Sequence, residues 1–278
     1  MPTSLERLGP LHAIVDVDVA RRAGWTALDL AAAYLNGGAR LVQVRAKSVS
    51  GAAFLDLASR IGRIAHAAGA LVIVNDRADI ARLSASDGVH VGQDDLAPSA
   101  ARAILAARGE SLASHRDGRG ASLARRDDQE YREYLREEQR SQRGCIARRM
   151  QSDFHHGLPG PNAVIGLSTH TETQIDAAIS EPVTYIAVGP VFETSTKATG
   201  YEAVGLDRVR YAARHLRGAP TTPLPRLVAI GGITLDRAVE VLEAGADAVA
   251  VITDLIATGD PERRVRAYLA RLAEMGRV

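Results

Sequence analysis

The chain has a single cysteine, Cys145, which excludes an internal disulfide framework and agrees with a reducing compartment. It also lacks long apolar runs. No stretch approaches the roughly 18 consecutive apolar residues of a membrane-spanning helix. The amino end, MPTSLERLGPLHAIVDVDVA, has no long apolar core after a basic start. The expectation is a cytoplasmic protein with no membrane partner. Neither sign of charge is in excess: 34 basic residues stand against 33 acidic ones, for a formal net charge of +1, so composition makes no case for nucleic acid as a partner. Any anion site has to be local. Lysine is nearly absent, with Lys47 and Lys197 alone in a chain that otherwise uses arginine. A compact ammonium fits close to a phosphate where a guanidinium presents a broad fork, so these two positions are candidates for phosphate contact.

The 278 residues are 46% hydrophobic and 24% charged, enough apolar material for a sizeable core. The length suits two average domains or one α/β barrel of about 250 residues. The most informative stretch is Leu71–Asp95, LVIVNDRADIARLSASDGVHVGQDD. It reads as strand, short helix, strand. The first strand ends at Asn75-Asp76 and the second runs into Gln93-Asp94-Asp95. Parallel neighbours place their carboxyl ends on one edge, which brings Asp76 near Asp94 and Asp95. Two carboxylates with water and substrate oxygens suffice for Mg²⁺, although Asp76 alone reads equally well as a helix cap.

Strands are expected at Leu11–Val15, Arg40–Val44, Leu71–Val74, Gly88–Val91, Ala163–Leu167, Val183–Val188, Leu227–Ile230 and Ala248–Ile252, each followed by helical spacing. That alternation is the pattern of a single-domain (β/α)8 TIM barrel, and the binding-type residues fall at strand carboxyl ends, where such barrels place chemistry. The pattern breaks over 108–160, a stretch rich in Arg, Glu, Asp, Ser and Gln. It is expected to be a disordered or loosely helical insertion between the fourth helix and the fifth strand, leaving from the face opposite the site. Its His115, Cys145, His155 and His156 match no closed zinc spacing.

Alternation places Gln43, Arg45 and Lys47 on one side of the second strand's exit if the strand persists. Gly231-Gly232 and Ile252-Thr253 lie where barrels commonly receive a phosphate on bare backbone amides. Two separated anion sites imply two phosphorylated substrates or one doubly phosphorylated one. There is no Ser–His–Asp order and no nucleophilic cysteine, so electrostatic stabilisation of a leaving group by Lys47, Lys197 and Arg45 is the candidate catalytic device. His170 is the one general base candidate, and an ordinary structural histidine is an equal reading of it.

Taken as a set, QVRAK, VNDRADIA, DGVHVGQDD, GLSTHT, VGPVFETSTK, AIGGIT and AVAVIT, at every strand exit after the first, closely resemble the thiamine-phosphate synthase family. The resemblance implies small-molecule substrates, a pyrimidine methyl diphosphate and a carboxylated thiazole ethyl phosphate. These are joined with release of diphosphate and carbon dioxide, through ionisation of the C–O bond. It implies that Gln43, Arg45, Lys47, Asn75, Ser168 and Lys197 bind the pyrimidine diphosphate. Thr194, Ser195, Thr196, Gly232, Ile252 and Thr253 would bind the thiazole phosphate, with Asp76 and Asp95 on Mg²⁺. Glu193 departs from the proline usual in the family, and the insertion is foreign to its compact pattern. The alternatives are a thiazole tautomerase of the same fold and a non-catalytic phosphate-binding barrel. Assembly into a homo-oligomer is compatible with the sequence, which carries no sign for or against it.

Overall fold

A computed structural model describes residues 8–107, 162–194, 202–220 and 222–276. Eight parallel strands close into a barrel in chain order: β1 (Leu11–Asp16), β2 (Leu41–Arg45), β3 (Leu71–Asn75), β4 (Gly88–Val91), β5 (Val164–Thr169), β6 (Tyr185–Val188), β7 (Arg226–Ile230) and β8 (Ala248–Val251), with β8 paired back to β1. The expected strands all form, with ends moved by a residue or two. Among the described residues the helices are α1 (Val17–Arg22), α2 (Ala27–Asn36), α3 (Gly51–Ala67), α4 (Ala78–Leu83), α5 (Pro98–Ala106), α6 (Glu172–Ile179), α7 (Gly205–Arg217), α8 (Leu235–Glu243) and α9 (Pro261–Ala273). The insertion expected over 108–160, its histidines and Cys145 lie outside the described residues.

Both faces of every strand are covered, so the strands are apolar almost throughout. Leu11, Ala13 and Val15 of β1, Val42 and Val44 of β2, and Val249 and Val251 of β8 belong to the core between barrel and helices. Ile14, Leu41, Ile73, Val164, Tyr185, Val228 and Ala250, one residue out of phase, fill the barrel itself. The same alternation turns Gln43, Asn75, His90 and Ser168 inward, and all four are buried. Their polar groups therefore need partners inside the barrel.

Helix starts follow their capping residues. Thr26 accepts from the Asp29 amide at α2, Ser50 from Ala53 at α3, and Thr171 with Gln174 forms a capping box at α6. Helix α1 is an addition to the expected pattern. Asp16, which by sequence alone reads as the end of a strand, also accepts from the Val19 amide and starts a short helix straight off β1. No described helix is long and apolar enough to cross a membrane.

Candidate active site

The carboxyl ends of β1 to β5 carry a continuous polar rim. Gln43 and Asn75 are hydrogen bonded side chain to side chain at 2.9 Å across β2 and β3. Arg45 pairs through Nη1 with Asp16, whose carboxylate is almost fully buried. The Nε–H of Arg45 is buried and has no partner among the described residues, so a donor remains for an anion above β2. The strand does not persist to Lys47. It ends at Arg45, and Lys47 stands in the following turn, half-exposed, with its ammonium 3.2 Å from Asp76 Oδ2.

Asp76 leaves β3 with φ +65°, the left-handed region that costs most residues energy and that Asp tolerates better than most. Its amide donates to the His90 carbonyl at 2.7 Å, which ties the exit of β3 to β4. Its carboxyl comes within hydrogen-bonding reach of Asp95, itself steadied by the Gly92 amide at 2.8 Å. Burial first, then the facing Asp95, raises the Asp76 carboxyl above its ordinary range, while Lys47 acts in the opposite direction. Two carboxylates forced together in this way gain from a cation between them. The described residues assemble no group of three or more His, Cys, Asp or Glu, so the donor set suits a hard cation that completes its shell with water and substrate oxygens. Asp94 and Asp95 of the β4 exit are both exposed, and Asp95 is the one that faces Asp76.

The second part of the site is a cleft over β5 to β8 with about 590 Å³ of empty space including its open mouth. Its walls include Ser168, His170, Thr194, Gly231, Gly232, Ile252 and Thr253. Gly231 and Gly232 have φ +99° and +63°, and a Cβ on them would lie 2.5 Å from Pro190 Cα and 2.5 Å from the Glu193 carbonyl oxygen. Both glycines are thus already required by the turn and by the close approach of the β6 exit loop, so the pair is not by itself a sign of phosphate. That loop is bonded to β7 through Val191 N to Ile230 O and Phe192 N to Gly231 O. The first amide of α8, on Leu235, is taken by Asp254 at 3.1 Å, which leaves less of that helix end for an anion than expected. His170 donates from Nδ1 to the Gly189 carbonyl, so Nε2 is its basic nitrogen.

The structure therefore gathers Gln43, Arg45, Lys47, Asn75, Asp76 and Asp95 on one side of the barrel mouth and Thr194, Gly232, Ile252 and Thr253 on the other, with Ser168 at the β5 exit bordering both: it lines the cleft and its carbonyl accepts from Gln93. Ser195, Thr196 and Lys197 lie outside the described residues. Sequence reading missed the inward polar residues His12, His90 and Tyr185. A histidine within DGVHV carries no signal of which way it faces when both faces of the strand are apolar.

The chain matches the family described as thiamine monophosphate synthase over residues 11–131 and 148–255. The thiamine-phosphate synthase of Koribacter versatilis is 33% identical over 265 residues, 95% of each chain. That of Thermosynechococcus vestitus is 32% identical over 247 residues, 89% of this chain and 53% of the other, so the chain spans about half the length of that relative. Among solved structures, a thiamine phosphate pyrophosphorylase from Pyrococcus furiosus superposes with a TM-score of 0.67 at 22% identity, over 97% of this chain and 98% of that one. At that identity the superposition speaks for the barrel alone.

Proposed function

The chain belongs to the thiamine monophosphate synthase family and functions as a thiamine-phosphate synthase, and on that premise we propose how its barrel mouth divides the work. The side over β2 to β5 takes the pyrimidine methyl diphosphate, through Gln43, Arg45, Lys47, Asn75 and Ser168, with Lys197 added from the β6 loop. The cleft over β6 to β8 takes the carboxylated thiazole ethyl phosphate, through Thr194, Ser195, Thr196, Gly232, Ile252 and Thr253. Products are thiamine phosphate, diphosphate and carbon dioxide. The observation that carries this reading is the Asp76–Asp95 carboxylate pair beside Lys47. A barrel that bound only monophosphates would have no use for mutually repelling acids at an anion site.

Asp76 and Asp95 would hold Mg²⁺, which supplies charge neutralisation to the diphosphate when bound. The residues of this chain do the rest. Lys47 and Arg45 present an ammonium and a guanidinium to the departing oxygens, so negative charge that builds as the C–O bond breaks meets fixed cations. Asn75, held by Gln43, is oriented before substrate arrives. The apolar floor of Ile230, Ala250 and Ile252 keeps water from the pyrimidine-methyl cation until the thiazole nitrogen captures it.

Diphosphate release from the two substrates, with Mg²⁺ and with EDTA, tests the reading in wild type and in Asp76→Asn, which keeps a side chain suited to the left-handed backbone. Release that needs both substrates and metal and collapses in the variant supports it. Folded wild-type protein that releases no diphosphate would overturn it.

A further inference from the structure

Below Ser168 the barrel interior holds a hydrogen-bonded line of side chains to which the division of the barrel mouth gives no role. His90 bonds through Nδ1 to the Tyr185 hydroxyl at 2.8 Å and through Nε2 to Ser168 Oγ at 2.8 Å. All three are buried, Tyr185 to 1% exposure. Space for them is made by Gly166, where a Cβ would lie 2.1 Å from Tyr185 Cζ and 2.6 Å from His90 Nδ1.

The direction of each bond follows from counting protons. A buried phenol O–H needs an acceptor, and among the described residues His90 Nδ1 is the group hydrogen bonded to Tyr185. His12, whose ring meets Tyr185 edge-on at 5.0 Å, has no partner at Nε2 and so does not take that proton. Tyr185 therefore donates to Nδ1. A protonated Nδ1, in the other tautomer or in the imidazolium, would leave the phenol proton without an acceptor. His90 then carries its proton on Nε2 and donates it to Ser168 Oγ. The serine proton cannot point back at a nitrogen that is itself a donor. It turns into the cleft that Ser168 lines.

We propose that Tyr185 and His90 are positioning residues that fix Ser168 as a hydrogen-bond donor toward the diphosphate. With the opposite tautomer the serine would donate inward and offer only lone pairs to an anion, which repel it. The inference rests on the placement of Ser168 against the diphosphate. Tyr185→Phe removes the phenol proton and keeps the packed ring, so His90 is free to exchange tautomers and Ser168 to turn inward.

The test combines steady-state kinetics of Tyr185→Phe, Ser168→Ala and the double variant with ¹⁵N spectra of histidine-labelled protein, the His90 signals being assigned by their loss in His90→Gln. Expected are an Nε2–H tautomer at His90 in wild type and its loss in Tyr185→Phe. Expected too is a drop of about tenfold in kcat/KM for the pyrimidine diphosphate in that variant, with KM for the thiazole phosphate unchanged. In the Ser168→Ala background Tyr185→Phe should cost nothing further, because the two act as one unit. An Nδ1–H tautomer in wild type, or a Tyr185→Phe loss that persists undiminished beside Ser168→Ala, overturns the relay. Unchanged kinetics in Ser168→Ala would overturn the diphosphate placement and the relay's function with it. The tautomer signal, which does not depend on substrate, tells the two failures apart.

Discussion

Lys47 is one of two lysines in the chain, and its ammonium meets Asp76 at the rim where diphosphate charge would collect. Half-exposed as it is, this ion pair adds little to folding, so its value lies in what it presents to substrate. Replacing Lys47 with Gln should leave the unfolding midpoint nearly unchanged and lower kcat by about 10²–10³-fold. Equal loss of kcat and stability would assign the lysine to the scaffold instead. His12 shows the opposite balance. Burial first, then Arg226 and His90, pushes its pKa down to about 3 from 6.5, so the folded barrel keeps the ring neutral while the unfolded chain protonates it. Between those two values the unfolded state binds more protons, and stability falls as pH drops through that window. Urea unfolding at a series of pH values should show this slope in wild type and a flatter one in His12→Phe. Parallel slopes would mean that other groups carry the acid sensitivity.

Two connections hold the thiazole-side cleft in shape. The first is the contact of the β6 exit loop with Gly231-Gly232. Gly232→Ala has to place a methyl group 2.5 Å from the Glu193 carbonyl at φ +63°, so the loop must move. The expected cost is more than about 1 kcal/mol in stability, together with a raised KM for the thiazole phosphate. Retention of wild-type KM would show that the loop position is immaterial. The second is the knot under β8. Asp254, next to Thr253, accepts from Leu235 N, from the Tyr268 hydroxyl at 2.6 Å and from Nε and Nη2 of Arg264, so α8, α9 and the turn after β8 move together. Arg264→Ala should destabilise by about 2 kcal/mol, as expected for hydrogen bonds to a charged group. It should also raise KM for the thiazole phosphate with kcat little changed. Urea unfolding and initial rates measure both.

At the scale of the molecule, parallel pairing around a closed barrel brings strand exits that are far apart in sequence to one face. Gln43 meets Asn75, Asp76 meets Asp95, and Gln93 reaches the Ser168 carbonyl. Because the exits converge in this way, a reading of residue types at strand ends recovered most of the rim without any distance.

The sequence alone determined the barrel, its strand order and the exit residues, because an apolar run followed by helical spacing is a local signal that repeats eight times. Asp76 was legible for the same reason, standing just past a strand; Lys47 stood out by the scarcity of lysine, and strand position alone left Asp94 and Asp95 as alternatives. Tertiary structure alone decided the phase of the buried strands. A residue such as His90 or Tyr185 sits in a run apolar on both faces, so no periodicity says whether it meets a helix or the barrel axis. Pairing was likewise undecided until the fold closed. Arg45, expected to serve phosphate, is also held by Asp16 of the neighbouring strand, and both glycines of Gly231-Gly232 answer first to the β6 loop. Contacts between elements depend on register and approach, and these are set by the packing of the whole chain rather than by any stretch of it.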